Sequence, residues 1–252
     1  MRRAVVSLLA AALLSGLAAP AYAERVEPEP AHREGGAALA GRVVVLDPGH
    51  QLGNHNFPRR INRPVPDGRG GRKACNTTGT ATNRGYPEAT LNWQVARLVR
   101  ERLERMGATV RLTRSSNSDR RWGPCVDARG RAGNRPRADL KLSIHADGSL
   151  ARGARGFHVI VAPDAARGSG RLARAVRAEL RGEGLRVATY LAGGDGLDVR
   201  TDLATLNLSR IPTAMVELGN MRDPVDAARM TSARGRATYA RALTAAVVDL
   251  LR

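Results

Sequence analysis

Short apolar runs rich in β-branched residues alternate along this chain with longer segments of helical periodicity, and that alternation leaves few architectures open. The runs RVVVLD (42–47), ATVRLT (108–113), DLKLSIH (139–145), GFHVIVA (156–162) and PTAMVEL (212–218) have the length of buried strands. Between them, residues 87–106 carry Leu91, Val95, Leu98, Val99, Leu103 and Met106 at steps of three and four. Pro87 suits the first turn of that helix and Gly107 its stop. A short helix is expected around 126–134, and a second amphipathic one through Leu172, Ala173, Val176 and Leu180, ending at Gly182. A closing helix presents Tyr239, Leu243, Val247, Leu250 and Leu251 on one face. Strands alternating with helices predict an α/β domain with a mostly parallel sheet covered on both faces. In such sheets, ligands bind beyond the carboxyl ends of the strands.

The N-terminus reads as an export signal. Arg2 and Arg3 precede an apolar stretch from Val5 to Ala19, and Ala21-Tyr22-Ala23 offers a small-x-small cleavage site. The stretch is short and wrongly flanked for a stable span, so a membrane anchor is the weaker alternative. We expect residues 1–23 to be a signal peptide and 24–40, with prolines and charges but no apolar periodicity, a disordered leader. Residues 41–252 then form one domain, secreted to the periplasm, the cell wall or the extracellular space. In an oxidising compartment the two cysteines, Cys75 and Cys125, are expected to form a disulfide. Their serving as metal ligands is the alternative, although neither belongs to a C-x-x-C pair. The formal charge is +18, two less without Arg2 and Arg3, and only Lys73 and Lys141 are lysines. That balance favours polyanionic partners, which outside a cell means wall polymers and acidic headgroups rather than DNA. With 3% aromatic residues and no nucleic-acid motif, a base-stacking platform is excluded.

The chemistry-bearing residues gather where the predicted strands end. His50 follows the first strand by a Pro-Gly turn, His145 ends the strand 139–145, and Glu217 lies near the end of 212–218. Glu88 falls in the first turn of the helix after a glycine-containing loop. Two histidines and a carboxylate brought to one rim of a sheet match the ligand set of a catalytic zinc site, and a second carboxylate nearby can act as general base. His55, five residues beyond His50, is the rival ligand in the first loop. His158 alternates with apolar residues in its strand and is expected to be structural, and His32 lies in the leader. Asp47 is expected to hold the loop or orient His50 rather than to bind metal.

The sequence around each candidate sharpens this reading. VVLDPGH (44–50) resembles the opening of the zinc-dependent N-acetylmuramoyl-L-alanine amidases, as does PEATLNWQVARLVRERLERMGATVRLTR (87–114), with a glutamate heading the helix. RAGNRPRADLKLSIHADG (131–148) and IPTAMVELGNMRDP (211–224) are similar to that family's later blocks, in the same order. The resemblance implies zinc ligands His50, Glu88 and His145, Glu217 as the catalytic carboxylate, and an open, mixed sheet of about six strands between helices. It further implies hydrolysis of the amide between the lactyl group of N-acetylmuramic acid and L-alanine of the peptidoglycan stem peptide. A zinc peptidase acting within the stem peptide and a non-catalytic wall-binding protein are the competing readings. The expected partners are peptidoglycan or its fragments and anionic wall polymers, with no nucleic acid, no transmembrane segment and a monomeric chain. The chain departs from the resemblance over 51–85, which holds Arg59, Arg60, Arg63, Arg69, Arg72, Lys73 and Cys75. This stretch is expected to be a basic flap beside the cleft, tied through Cys75 to Cys125, or else a solvated loop.

Overall fold

The computed structural model describes residues 38–191 and 193–252. The expected signal peptide, His32 and the leader up to residue 37 lie outside the described residues. In chain order the elements are β1 (Val43–Pro48), α1 (Pro58–Ile61), β2 (Pro64–Pro66), β3 (Arg72–Ala74), α2 (Glu88–Arg105) and β4 (Thr109–Leu112). They continue with α3 (Val126–Arg131), β5 (Leu140–Asp147), β6 (His158–Val161), α4 (Ser169–Gly182), β7 (Leu197–Val199) and α5 (Ala204–Asn207). The last three are β8 (Thr213–Asn220), α6 (Pro224–Thr231) and α7 (Ala233–Leu251). Six strands form an open sheet in the order β4-β1-β5-β8-β6-β7. All neighbours run parallel except β6 and β8, so the sheet is mixed and mostly parallel.

The alternation of side chains along a strand gives this sheet two unlike faces. Leu140, Leu142 and Ile144 of β5 and Ala214, Val216 and Leu218 of β8 enter one large apolar core. That core is closed by Leu91, Val95, Val99 and Leu103 of α2, Leu172 and Val176 of α4, and Tyr239, Leu243 and Val247 of α7. Each fully buried aliphatic side chain contributes about 1.5–3 kcal/mol, so this face carries most of the stability. The opposite face takes the intervening residues: Lys141, Ser143 and His145 of β5, and Thr213, Met215 and Glu217 of β8. It is covered more thinly, by small apolar clusters around Val45, Ala138 and Ile211 and around Ile160, Leu206 and Met215. The short helices α3 and α5 pack there against each other, with α5 against β8 and α3 reaching Asp47 of β1 through Arg129.

Several boundaries differ from expectation. Residues 38–40 belong to the fold rather than to the leader: Leu39 is fully buried and its N–H donates to the carbonyl of Met106 at 2.9 Å. A single leucine beside the end of α2 has enough apolar surface to be drawn into the core. Helix α6 escapes a search for periodicity because it is short, yet its start was marked. Asp223 caps it by accepting from the N–H groups of Val225 and Asp226, and Pro224 occupies the first turn. The 51–85 stretch contains α1 and the two-stranded hairpin of β2 and β3. Among the described residues no helix is long and apolar enough to cross a membrane.

Candidate active site

His50, Glu88 and His145 converge at the carboxyl end of β1 and β5, each offering a ligand atom within 4.8 Å of the others. His50 Nε2 lies 3.2 Å from Glu88 Oε2, and His145 Nδ1 lies 3.0 Å from Glu88 Oε1. The two imidazoles stand edge to face, with centroids 4.9 Å apart. Glu88 heads α2, where the helix dipole favours a carboxylate. Its oxygens also accept from the N–H groups of Thr80 and Ala146 and from the amide of Asn92. Burial alone would raise its pKa, but His50 and His145 outweigh burial and hold the carboxylate well below the usual range. Burial pushes the His145 imidazole down, which favours the neutral ring that a metal requires. Two imidazole nitrogens and a carboxylate oxygen are the donor set of a catalytic zinc ion with an open coordination position, so the residues fit the group.

The backbone around this triad is shaped for it. His50 adopts φ 56°, unusual for a non-glycine residue, and its Nδ1 faces the carbonyl of Thr77 at 3.1 Å. That carbonyl also accepts from Asn54 at 2.6 Å. Gly49 cannot carry a side chain, because a Cβ there would meet the His145 ring at 2.3 Å. Gly79, at φ 77°, allows the loop to pass within contact of Glu88 and His50.

Two buried arginines that sequence reasoning missed clamp the turn bearing His50. Arg129 of α3 donates to Asp47 at 2.6 Å, to the carbonyl of Pro48 at 2.8 Å and to that of His50 at 2.6 Å. Arg114, just beyond β4, donates to the carbonyls of Pro48 and Gly49 and reaches the start of α2 at the carbonyl of Ala89. Asp47 is fully buried and also accepts from Thr113 and Ser143, so it holds the loop through Arg129, while Thr77 meets the His50 ring. Lys141, buried beneath α3, donates to the carbonyls of Arg129 and Gly130. Burial pushes its pKa down to about 8, so it remains charged at neutral pH.

The triad opens into a cavity of about 240 Å³ that is lined by His50, His145 and Glu217, with Met215, Leu203 and Val126 on its apolar side. Glu217 is the register neighbour of His145 across the β5–β8 pair. Burial raises the Glu217 pKa well above the usual carboxylate range, and the charges of Glu88 and Asp147 add to it. A carboxyl raised in this way holds a proton more readily than an exposed glutamate does. The hairpin of β2 and β3 reaches across to the segment before β8. Lys73 donates to the carbonyl of Asp202, Arg69 pairs with Asp164, and Asn207 donates to the carbonyl of Asp67 at 2.9 Å. The Cys75–Cys125 disulfide closes a separation of 50 residues and fastens this stretch to the start of α3. His55 stays outside the cluster, exposed and facing Leu52 and Asp119. His158 is buried on the cavity's side of the sheet, beside Glu217 in the β6–β8 register.

The family described as N-acetylmuramoyl-L-alanine amidase matches residues 44–249. The chain is 46% identical over 220 residues to the N-acetylmuramoyl-L-alanine amidase Rv3717 of Mycobacterium tuberculosis, covering 85% of this chain and 88% of that protein. Among solved structures it is similar to the apo form of the N-acetylmuramyl-L-alanine amidase Ami1 from Mycobacterium abscessus. That match has a TM-score of 0.78 at 44% identity, over 84% of this chain and 100% of the other. Ami1 from Mycobacterium smegmatis gives a TM-score of 0.79 at 40% identity, over 84% and 98%.

Proposed function

Because the chain belongs to the N-acetylmuramoyl-L-alanine amidase family, we propose that His50, Glu88 and His145 hold a zinc ion and that Glu217 carries the proton in hydrolysis. The bond cleaved is the amide between the lactyl group of N-acetylmuramic acid and L-alanine of the stem peptide. The observation that carries this reading is the gathering of three ligand atoms within 4.8 Å of one another beside a cavity lined by His50, His145 and Glu217.

A zinc ion held by His50, Glu88 and His145 would supply Lewis acidity to acidify a water molecule and polarise an amide carbonyl. The protein's own part is orientation and proton transfer. Glu88, held by two backbone N–H groups and Asn92, keeps both imidazoles facing the same point. The clamps from Arg114 and Arg129 fix the turn on which His50 sits. Glu217 takes a proton from the attacking water and returns it to the departing alanine nitrogen. Its raised pKa favours the uptake half of that transfer, because burial strengthens the carboxylate's hold on a proton. The apolar side of the cavity, with Met215 and Leu203, accommodates the small methyl groups that flank the scissile amide.

The same reading makes 1–23 a signal peptide and places the enzyme outside the cytoplasm, where its disulfide is stable. It takes peptidoglycan or its fragments as substrate and anionic wall polymers as the partners of its basic surface, and it acts as a monomer. The deciding experiment is mass spectrometry of products from purified peptidoglycan, with and without a chelator. Stem peptides with a new L-alanine N-terminus, lost on chelation, are expected. Products that keep the muramyl link and are cut within the stem would instead assign a peptidase.

A further inference from the structure

His158 has no part in the zinc set, yet its position ties it to the chemistry. It pairs in register with Glu217 across the antiparallel β6–β8 ladder, so the two side chains stand beside each other on one face of the sheet. Among the described residues, His158 Nδ1 and Glu217 Oε2 are both buried without a hydrogen-bond partner. Buried polar atoms are rarely left unpaired, and these two are complementary: an imidazole nitrogen can donate, and a carboxylate oxygen can only accept. The ring is also constrained. Tyr190 meets it edge to face with centroids 6.2 Å apart, and the Tyr190 hydroxyl donates to Asp147 at 2.8 Å.

We propose that His158 is a positioning residue for Glu217, its imidazole N–H holding one carboxylate oxygen so that the other faces the cavity. The inference rests on the reading of Glu217 as the proton carrier. His158 is 2% exposed and faces Asp147, Asp198 and Arg200 besides Glu217. Burial keeps the ring neutral despite the acidic neighbours, so it orients the carboxylate without neutralising it. A neutral imidazole also has a single N–H, which makes the choice of partner specific.

The test compares His158→Phe, which keeps ring packing but loses the donor, with His158→Asn, whose amide nitrogen sits near the position of Nδ1. Purified muropeptide is the substrate, with melting temperature and bound zinc measured on each variant. His158→Phe should lower kcat by roughly 10²-fold, the scale of a misplaced reacting group, at unchanged KM and zinc content. His158→Asn should recover most of that loss. On a Glu217→Gln background, His158→Phe should cost little more, because residues acting through one group are non-additive. Full activity in His158→Phe, or equal losses in the Phe and Asn variants with normal melting, would overturn the inference. Should His158→Phe not fold, His158→Leu against His158→Asn gives the same comparison. An active Glu217→Gln enzyme would bring down the underlying reading, whereas an inactive one beside an active His158→Phe removes only the role of His158.

Discussion

Arg129 is the residue on which the His50 turn depends most. Its guanidinium is 2% exposed, and its carboxylate partner is the fully buried Asp47. Arg129→Met would leave Asp47 as an uncompensated buried charge, so we expect about 3–5 kcal/mol of destabilisation in urea unfolding. An unchanged midpoint would show that the pair is not structural. Burial would raise the Asp47 pKa, but Arg129, Thr113 and Ser143 together hold it well below the usual value. A carboxyl depressed in the folded state contributes stability in full above its unfolded pKa of about 3.9, and that contribution is lost as pH falls further. Stability should therefore drop below about pH 4, and Asp47→Asn, though less stable at neutral pH, should flatten this acid limb. Glu217→Gln tests the chemistry itself: zinc should be retained while the rate falls roughly 10²–10⁴-fold. Loss of zinc in that variant would make Glu217 a ligand. At this scale the nearness of His50, Glu88, His145 and Glu217 was legible, because each stands at a readable turn, helix start or strand end. Arg129, Arg114 and Lys141 were not legible, since a basic residue reads as surface until a tertiary partner takes it inside. His158 reads as structural because it alternates with apolar residues in its strand, and its register with Glu217, nearly sixty positions away, is a pairing no local pattern reports.

The long elements were legible for a different reason: α2, α4 and α7 bury one stripe each, and a buried stripe imposes the spacing that sequence analysis detects. The three-residue strands β2, β3 and β7 bury too little to leave such a trace. The 51–85 stretch is organised by its disulfide and by hydrogen bonds from its side chains. The carbonyl of Cys75 accepts from the N–H of Val126 at 2.6 Å, and two residues on, the carbonyl of Thr77 faces His50 Nδ1. A Cys75→Ser/Cys125→Ser double variant should lose up to about 4 kcal/mol, the loop-closure value for a separation of this size. Hydrogen exchange should show lost protection over 51–85 while zinc remains stoichiometric. Unchanged exchange there would mean that the hairpin's links to Asp202, Asp164 and Asn207 suffice to hold it.

Over the whole molecule the formal charge is +18, and part of it is concentrated around Trp122. That ring is 41% exposed, Arg60 lies over it, and neither Arg59, Arg60, Arg120 nor Arg121 pairs with a carboxylate among the described residues. Binding to purified walls should weaken steeply as salt rises from about 0.1 M to about 1 M, which shortens the Debye length from about 10 Å to about 3 Å. Salt-independent co-sedimentation would assign wall binding to the cavity alone. The fold class was legible at this scale because strand–helix alternation admits few sheets, whereas the reversal of β6 against β8 was not written in any local pattern. The two-faced sheet also determines how such an enzyme can diverge. From Leu140 to Ala146 in β5 and from Thr213 to Leu218 in β8, the even-numbered positions answer to the core and the odd-numbered ones to the face that carries the cleft. A saturation library over these strands should therefore sort by parity, with even positions failing in expression and odd positions near the cavity failing in turnover. Substrate preference can then drift along one parity while the other stays under purifying constraint.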